Sequence, residues 1–168
     1  MGRYRLKSLL GLSEHEGVVK LMLNELSREG YVEASRAGCC LTARGEAFLR
    51  ALLKRYGIIQ IKDMDLKALG LEGESFVLQV GGRCPQRIIE LRDAAVRAGA
   101  DGMVSIYNEK GHLKIPAVYN DLDLNRPIAS KRLRDLFGIS LGDMFMIGLS
   151  EDKWRTLEGV LAAAMELK

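Results

Sequence analysis

Apolar residues recur at helical spacing three times within the first 56 positions. Leu6, Leu9 and Leu10 share one face of a short helix predicted over residues 4–10, and Gly11 can supply the positive φ that stops it. Val18, Val19, Met22, Leu23 and Leu26 repeat at i, i+3, i+4 and i+7 along a longer helix that Gly30 ends. Ser13 stands where its N-cap belongs, with Glu16 three residues on, the capping-box spacing. Phe48, Leu49, Leu52 and Leu53 mark a third helix over residues 43–56, capped by Thr42. Between the second and third helices, residues 31–35 and 39–41 read as strands joined by the turn Arg36-Ala37-Gly38.

The pattern changes after Gly57. Ile58 to Ile61 suits an edge strand, and residues 63–70 a loop with one helical turn. Strands are predicted over 75–80, 103–108, 113–118 and 143–149. A helix beginning at Pro85 runs to about residue 98, and another beginning at Pro127 runs to about residue 137. A last helix follows Ser150, its predicted cap, with Trp154, Leu157, Leu161 and Ala164 as its stripe. Residues 75–149 therefore read β-α-β-β-α-β, the ferredoxin-like order, with helices expected on one face of an antiparallel sheet.

Charge separates the two parts. Residues 1–56 carry ten basic and six acidic side chains, whereas the rest carries fifteen and sixteen. The basic excess thus lies in the N-terminal part, as in a module that faces phosphates. Neither a membrane-length apolar run nor a secretory leader pattern is present, which points to a cytoplasmic protein without a membrane partner. Cys39, Cys40 and Cys84 form an odd set with two adjacent members, against a disulfide framework.

The order helix, turn, helix, hairpin, helix is that of a helix-turn-helix with a wing. Val19-x-x-x-Leu23-x-x-Leu26-x-x-x-Gly30-Tyr31-Val32 followed by Leu41-Thr42-x-x-Gly45 resembles winged-helix regulators of the MarR and PadR kind. The whole chain is similar to a family of archaeal winged-helix proteins with a C-terminal domain of unknown function. The expected fold is accordingly α+β: a winged helix-turn-helix over 1–57, then a ferredoxin-like α/β sandwich over 58–168. The resemblance implies that the second helix enters a major groove of double-stranded DNA. Ser13, His15, Lys20, Asn24 and Arg28 are then candidate contacts, with Arg36 at the wing tip and Arg44 on the exit helix. Arg3, Arg5 and Lys7 suit the phosphate backbone. Leu21 departs from the pattern, since the position after Lys20 is often basic in such helices. A homodimer and an unidentified small-molecule effector complete the expected partners. Little chain precedes the first helix, so Leu6, Leu9 and Leu10 are expected to lack full cover within the chain.

Other chemistry is thin. Gly81-Gly82-Arg83 before a helix could cradle an anion but lacks the spacing of a nucleotide loop, which makes a tight turn the plainer reading. Asp121 and Asp123, beside Asn120 and Asn125, read as a solvated loop, since the pattern lacks the glycine and glutamate of a calcium loop. His15 and His112 have no evident partner ligands, so no metal site and no cofactor are expected. Cys39-Cys40 reads as one core residue and one surface thiol. No nucleophile–base set is present, and no catalytic residue is assigned. Two alternatives stand beside the regulator: a winged-helix module that binds protein, and a small-molecule enzyme in the C-terminal domain.

Overall fold

The computed structural model describes residues 2–35, 38–82 and 87–167, with only the backbone of Arg3. The chain is an α+β protein and divides into two compact units, Met1–Leu53 and Lys54–Lys168.

The first unit holds α1 (Arg3–Leu9), α2 (Glu16–Arg28), a hairpin of β1 (Val32–Ser35) and β2 (Gly38–Leu41), and the start of α3 (Ala43–Arg55). Local chemistry explains the junctions. Gly30, at a φ of 73°, lets the Gly30 amide reach the Ser27 carbonyl and the Tyr31 amide reach that of Leu26, both at the end of α2. Thr42 then starts α3: its hydroxyl accepts the Gly45 amide at 3.0 Å and donates to the Gly30 carbonyl at 2.6 Å. One side chain therefore joins the end of α2 to the beginning of α3. Gly45 lies so close to Tyr31 that a β-carbon on it would sit 2.0 Å from the Tyr31 carbonyl oxygen.

Two expectations for this unit need correction. Ser13 is not the cap of α2, which begins at Glu16 with His15 before it and no side-chain cap bond. The His15 amide instead bonds to the Leu12 carbonyl, so a backbone turn takes up residues 12–15. The apolar stripes are also less covered than their periodicity predicts. Val19 is buried and Leu23 and Leu53 are half-buried, but Val18, Met22, Leu26, Phe48, Leu49 and Leu52 remain exposed. A unit of about fifty residues has too little interior to enclose every apolar side chain it carries. Leu6 and Leu9 are half-buried and Leu10 is exposed.

The second unit is built on five antiparallel strands: β3 (Ile58–Asp65), β4 (Glu74–Val80), β5 (Gly102–Glu109), β6 (His112–Lys114) and β7 (Met144–Leu149). The helices α4 (Ile88–Arg97), α5 (Leu122–Asn125), α6 (Pro127–Leu136) and α7 (Lys153–Met165) accompany them, with a 3-10 turn at Leu66–Leu69. The connectivity β-α-β-β-α-β is present, but the strands lie in the order β3-β4-β7-β5-β6. The last strand is thus inserted between β4 and β5, rather than standing at the edge beside β4 as in a ferredoxin-like sheet. Helices cover both faces, not one. Ile147 of β7 packs with Leu122, Ala129, Leu133 and Phe137 from the α5–α6 side. Its neighbour Gly148 lies against Thr156 of α7, and side chains alternate across a strand. The reason is legible in Met-Phe-Met-Ile-Gly-Leu itself: an unbroken apolar strand is soluble only as a central one covered on both sides.

Smaller corrections follow from single residues. The cap of α7 is Asp152, whose carboxylate accepts the Trp154 amide at 2.8 Å, and Ser150 accepts the Asp152 amide one step earlier. The stripe of α7 is rotated, with Thr156, Val160, Ala163 and Ala164 buried and Trp154, Leu157 and Leu161 partly so. β6 stops at Lys114 because Pro116 has no amide to give a ladder, and the chain closes a turn from Ile115 to Tyr119.

Candidate functional site

α2 presents one polar stripe. Lys20, Asn24 and Arg28 follow one another at four-residue spacing, which stacks them along one side of a helix, and all three are exposed. His15 and Ser13 are exposed in the turn before it. Arg28 is paired with Glu25 at 2.5 Å, an exposed pairing that costs little to exchange for another partner. Arg5 is exposed on α1. Lys7 is not freely presented: its ammonium lies 3.5 Å from Glu16 and 4.2 Å from the centre of the Tyr4 ring. It shares with Lys20 a shallow cleft lined also by Tyr4, Glu16 and Val19. Arg44 is exposed on the first turn of α3, with its guanidinium 5.1 Å from the centre of the Tyr31 ring and its stem against Gly30. Arg44 therefore lies by the far end of α2 from Lys7. The side chain of Arg3 and the whole of Arg36 lie outside the described residues.

Cys39 is half-buried rather than a core residue, and Cys40 is the surface thiol. Cys40 is exposed, and its thiol faces the Glu33 carboxylate at 3.5 Å. That hydrogen bond, followed by burial and by the Glu33 charge, pushes the thiol pKa above its ordinary value. The thiolate that would react is disfavoured. Gly81 and Gly82 follow β4, and the Gly81 amide donates to the Gly57 carbonyl. Arg83, the third member of that candidate anion site, lies outside the described residues.

Separation in sequence concealed one cluster. The solvated loop expected around Asp121 and Asp123 is instead the short helix α5, with Asp121 as its N-cap and Asp123 in its first turn. They converge with His112 at the start of β6, so that His112, Asp121 and Asp123 each bring a ligand-type atom within 4.8 Å of the others. His112 Nδ1 lies 3.0 Å from Asp121 Oδ2. The turn after Lys114 folds the chain back and closes the nine-residue gap; only its proline and the two aspartates hinted at this in the sequence.

The family model for a domain of unknown function (DUF4443) matches residues 72–167, more than half of the chain. The chain belongs to this family. Its match lies within the second unit and does not reach the first. Among solved structures, the chain is similar to a hypothetical protein from Pyrococcus horikoshii OT3, at 22% identity and a TM-score of 0.78. That likeness spans 100% of this chain and 84% of the other, and it speaks to the shared fold. No curated protein matches the chain. Among the described residues no helix is long and apolar enough to cross a membrane.

Proposed function

We propose that the first unit is a winged helix-turn-helix and that the chain is a sequence-specific DNA-binding regulator, acting as a homodimer. The observation that carries this reading is the exposed stripe Lys20, Asn24 and Arg28 on α2, the helix that leads directly into the hairpin. A helix fits the major groove, where an asparagine can bond bidentately to adenine and a lysine can reach guanine or phosphate. Arg5 and Arg44 supply flanking cations for the backbone, and base-independent contacts of this kind fix register on the duplex. Half-covered apolar residues on α1 and α2 suit a second copy, and a dimer would read two half-sites about one helical turn apart. On this reading the second unit dimerises or senses a small molecule, and the chain performs no reaction.

Leu21 favours a second reading. It is 67% exposed and stands beside the polar stripe, where a groove-reading helix gains nothing from a bare leucine. A protein partner would cover it.

Salt dependence separates these readings residue by residue. On a random-sequence duplex, Lys20→Gln should reduce the slope of log affinity against log salt by about 0.9, the contribution of one phosphate contact. Lys67→Gln, in the second unit, should leave the slope unchanged. Equal slopes for wild type and Lys20→Gln would remove Lys20 from the interface.

A further inference from the structure

We propose that His112, Asp121 and Asp123 form a binding site for a zinc-type first-row divalent cation on the second unit. The donor set selects the ion. Imidazole nitrogen with two carboxylate oxygens suits zinc and its neighbours, whereas calcium and magnesium take oxygen throughout. Three protein ligands leave a position open for water or for an acidic ligand, as in zinc sites that are not purely structural.

The spacing is within reach of closure. Ligand atoms held about 2.0–2.2 Å from zinc in a tetrahedron stand roughly 3.4 Å apart. The three atoms already lie within 4.8 Å of one another, and one pair is at 3.0 Å. His112 is exposed, so small rotations of its ring meet no packed wall.

The surrounding groups hold the carboxylates rather than compete for all of their lone pairs. The buried Ser130 hydroxyl donates to Asp123 Oδ1 at 2.5 Å, and Arg134 donates to Asp123 Oδ2 at 3.0 Å. The Leu124 amide donates to Asp121 Oδ1, which leaves Oδ2 facing His112. Metal-binding carboxylates are commonly oriented by such outer hydrogen bonds. Arg134 also donates to the Gly111 carbonyl at 3.1 Å. One guanidinium therefore ties the residue next to His112 to the carboxylate of Asp123, across the two segments that supply the ligands.

The test uses the full chain, treated with a chelator and dialysed, and titrated with Zn²⁺ by calorimetry and with Co²⁺ by visible absorption. One equivalent should bind, and the cobalt spectrum should lack the intense near-ultraviolet band of thiolate ligation. His112→Ala and Asp123→Asn should each weaken binding at least about tenfold, with unchanged circular dichroism. The triple variant Cys39→Ser, Cys40→Ser, Cys84→Ser should bind as wild type does. Binding that survives both His112→Ala and Asp123→Asn, or that disappears with the cysteines, would overturn the assignment, as would no heat and no cobalt spectrum at all.

Discussion

Gly45→Ala is expected to destabilise the first unit strongly while leaving the stability of the second unchanged. The added methyl would lie 2.0 Å from the Tyr31 carbonyl oxygen and 2.9 Å from its carbon, both backbone atoms. No rotamer relieves such a clash, so α3 must move away from the end of α2. Overpacking commonly costs about 1–3 kcal/mol and occasionally more, and a backbone neighbour puts this case at about 3 kcal/mol or above. Movement also breaks the Thr42 bond to Gly30 and separates the stacked rings of Tyr31 and Phe48, now 4.6 Å apart. The measurement is urea unfolding followed by two probes. Circular dichroism should lose helical signal at lower urea than wild type, while the fluorescence of Trp154, the single tryptophan, keeps its midpoint. Coincident wild-type curves by both probes would show that the close approach is absent in solution.

The second large effect belongs to β7. Phe145→Ala should destabilise the second unit by about 3–5 kcal/mol, the cost of emptying a phenylalanine site in a packed core. Phe145 is fully buried in the central strand, between β4 and β5, with its ring 5.3 Å from that of Phe137. With a urea dependence of about 2 kcal/mol per molar, the Trp154 midpoint should fall by roughly 2 M. Trp154 is well placed to report it, since its ring packs 5.4 Å from Phe76 on the neighbouring strand β4. A shift of a few tenths molar would contradict the placement of β7 at the middle of the sheet.

What could be read from the sequence was local. Thr42 and Gly30 announce their own geometry, because a cap and a left-handed turn are decided by one residue and its immediate neighbours. The order of helices and strands follows from periodicity, which is also local. The order of strands in the sheet is not, and there the ferredoxin-like expectation failed. The β-α-β-β-α-β order is shared by more than one strand arrangement, and the pairing of β7 with both β4 and β5 is a long-range choice that local periodicity does not encode. Capping was misplaced at Ser13 and Ser150 for a related reason. Each has a competing partner nearby, the Leu12–His15 backbone turn in one case and Asp152 in the other. The polar stripe of α2 was visible from spacing alone, whereas the entanglement of Lys7 with Glu16 and Tyr4 needed two helices to be packed first. His112, Asp121 and Asp123 were invisible as a group, since no spacing rule links residues joined by an irregular turn.

The central claim is that α2 reads DNA sequence, and selection of genomic fragments by the purified chain tests it most directly. The selection is run at about 0.15 M salt, where non-specific binding is greatly weakened relative to low salt. The retained fragments should share a motif, repeated with two-fold symmetry at a spacing of about one helical turn, and Asn24→Ala should lose that enrichment. Retention of fragments with no common motif, or of none, would contradict a sequence-reading role and leave the exposed Leu21 face as the mark of a protein-binding module.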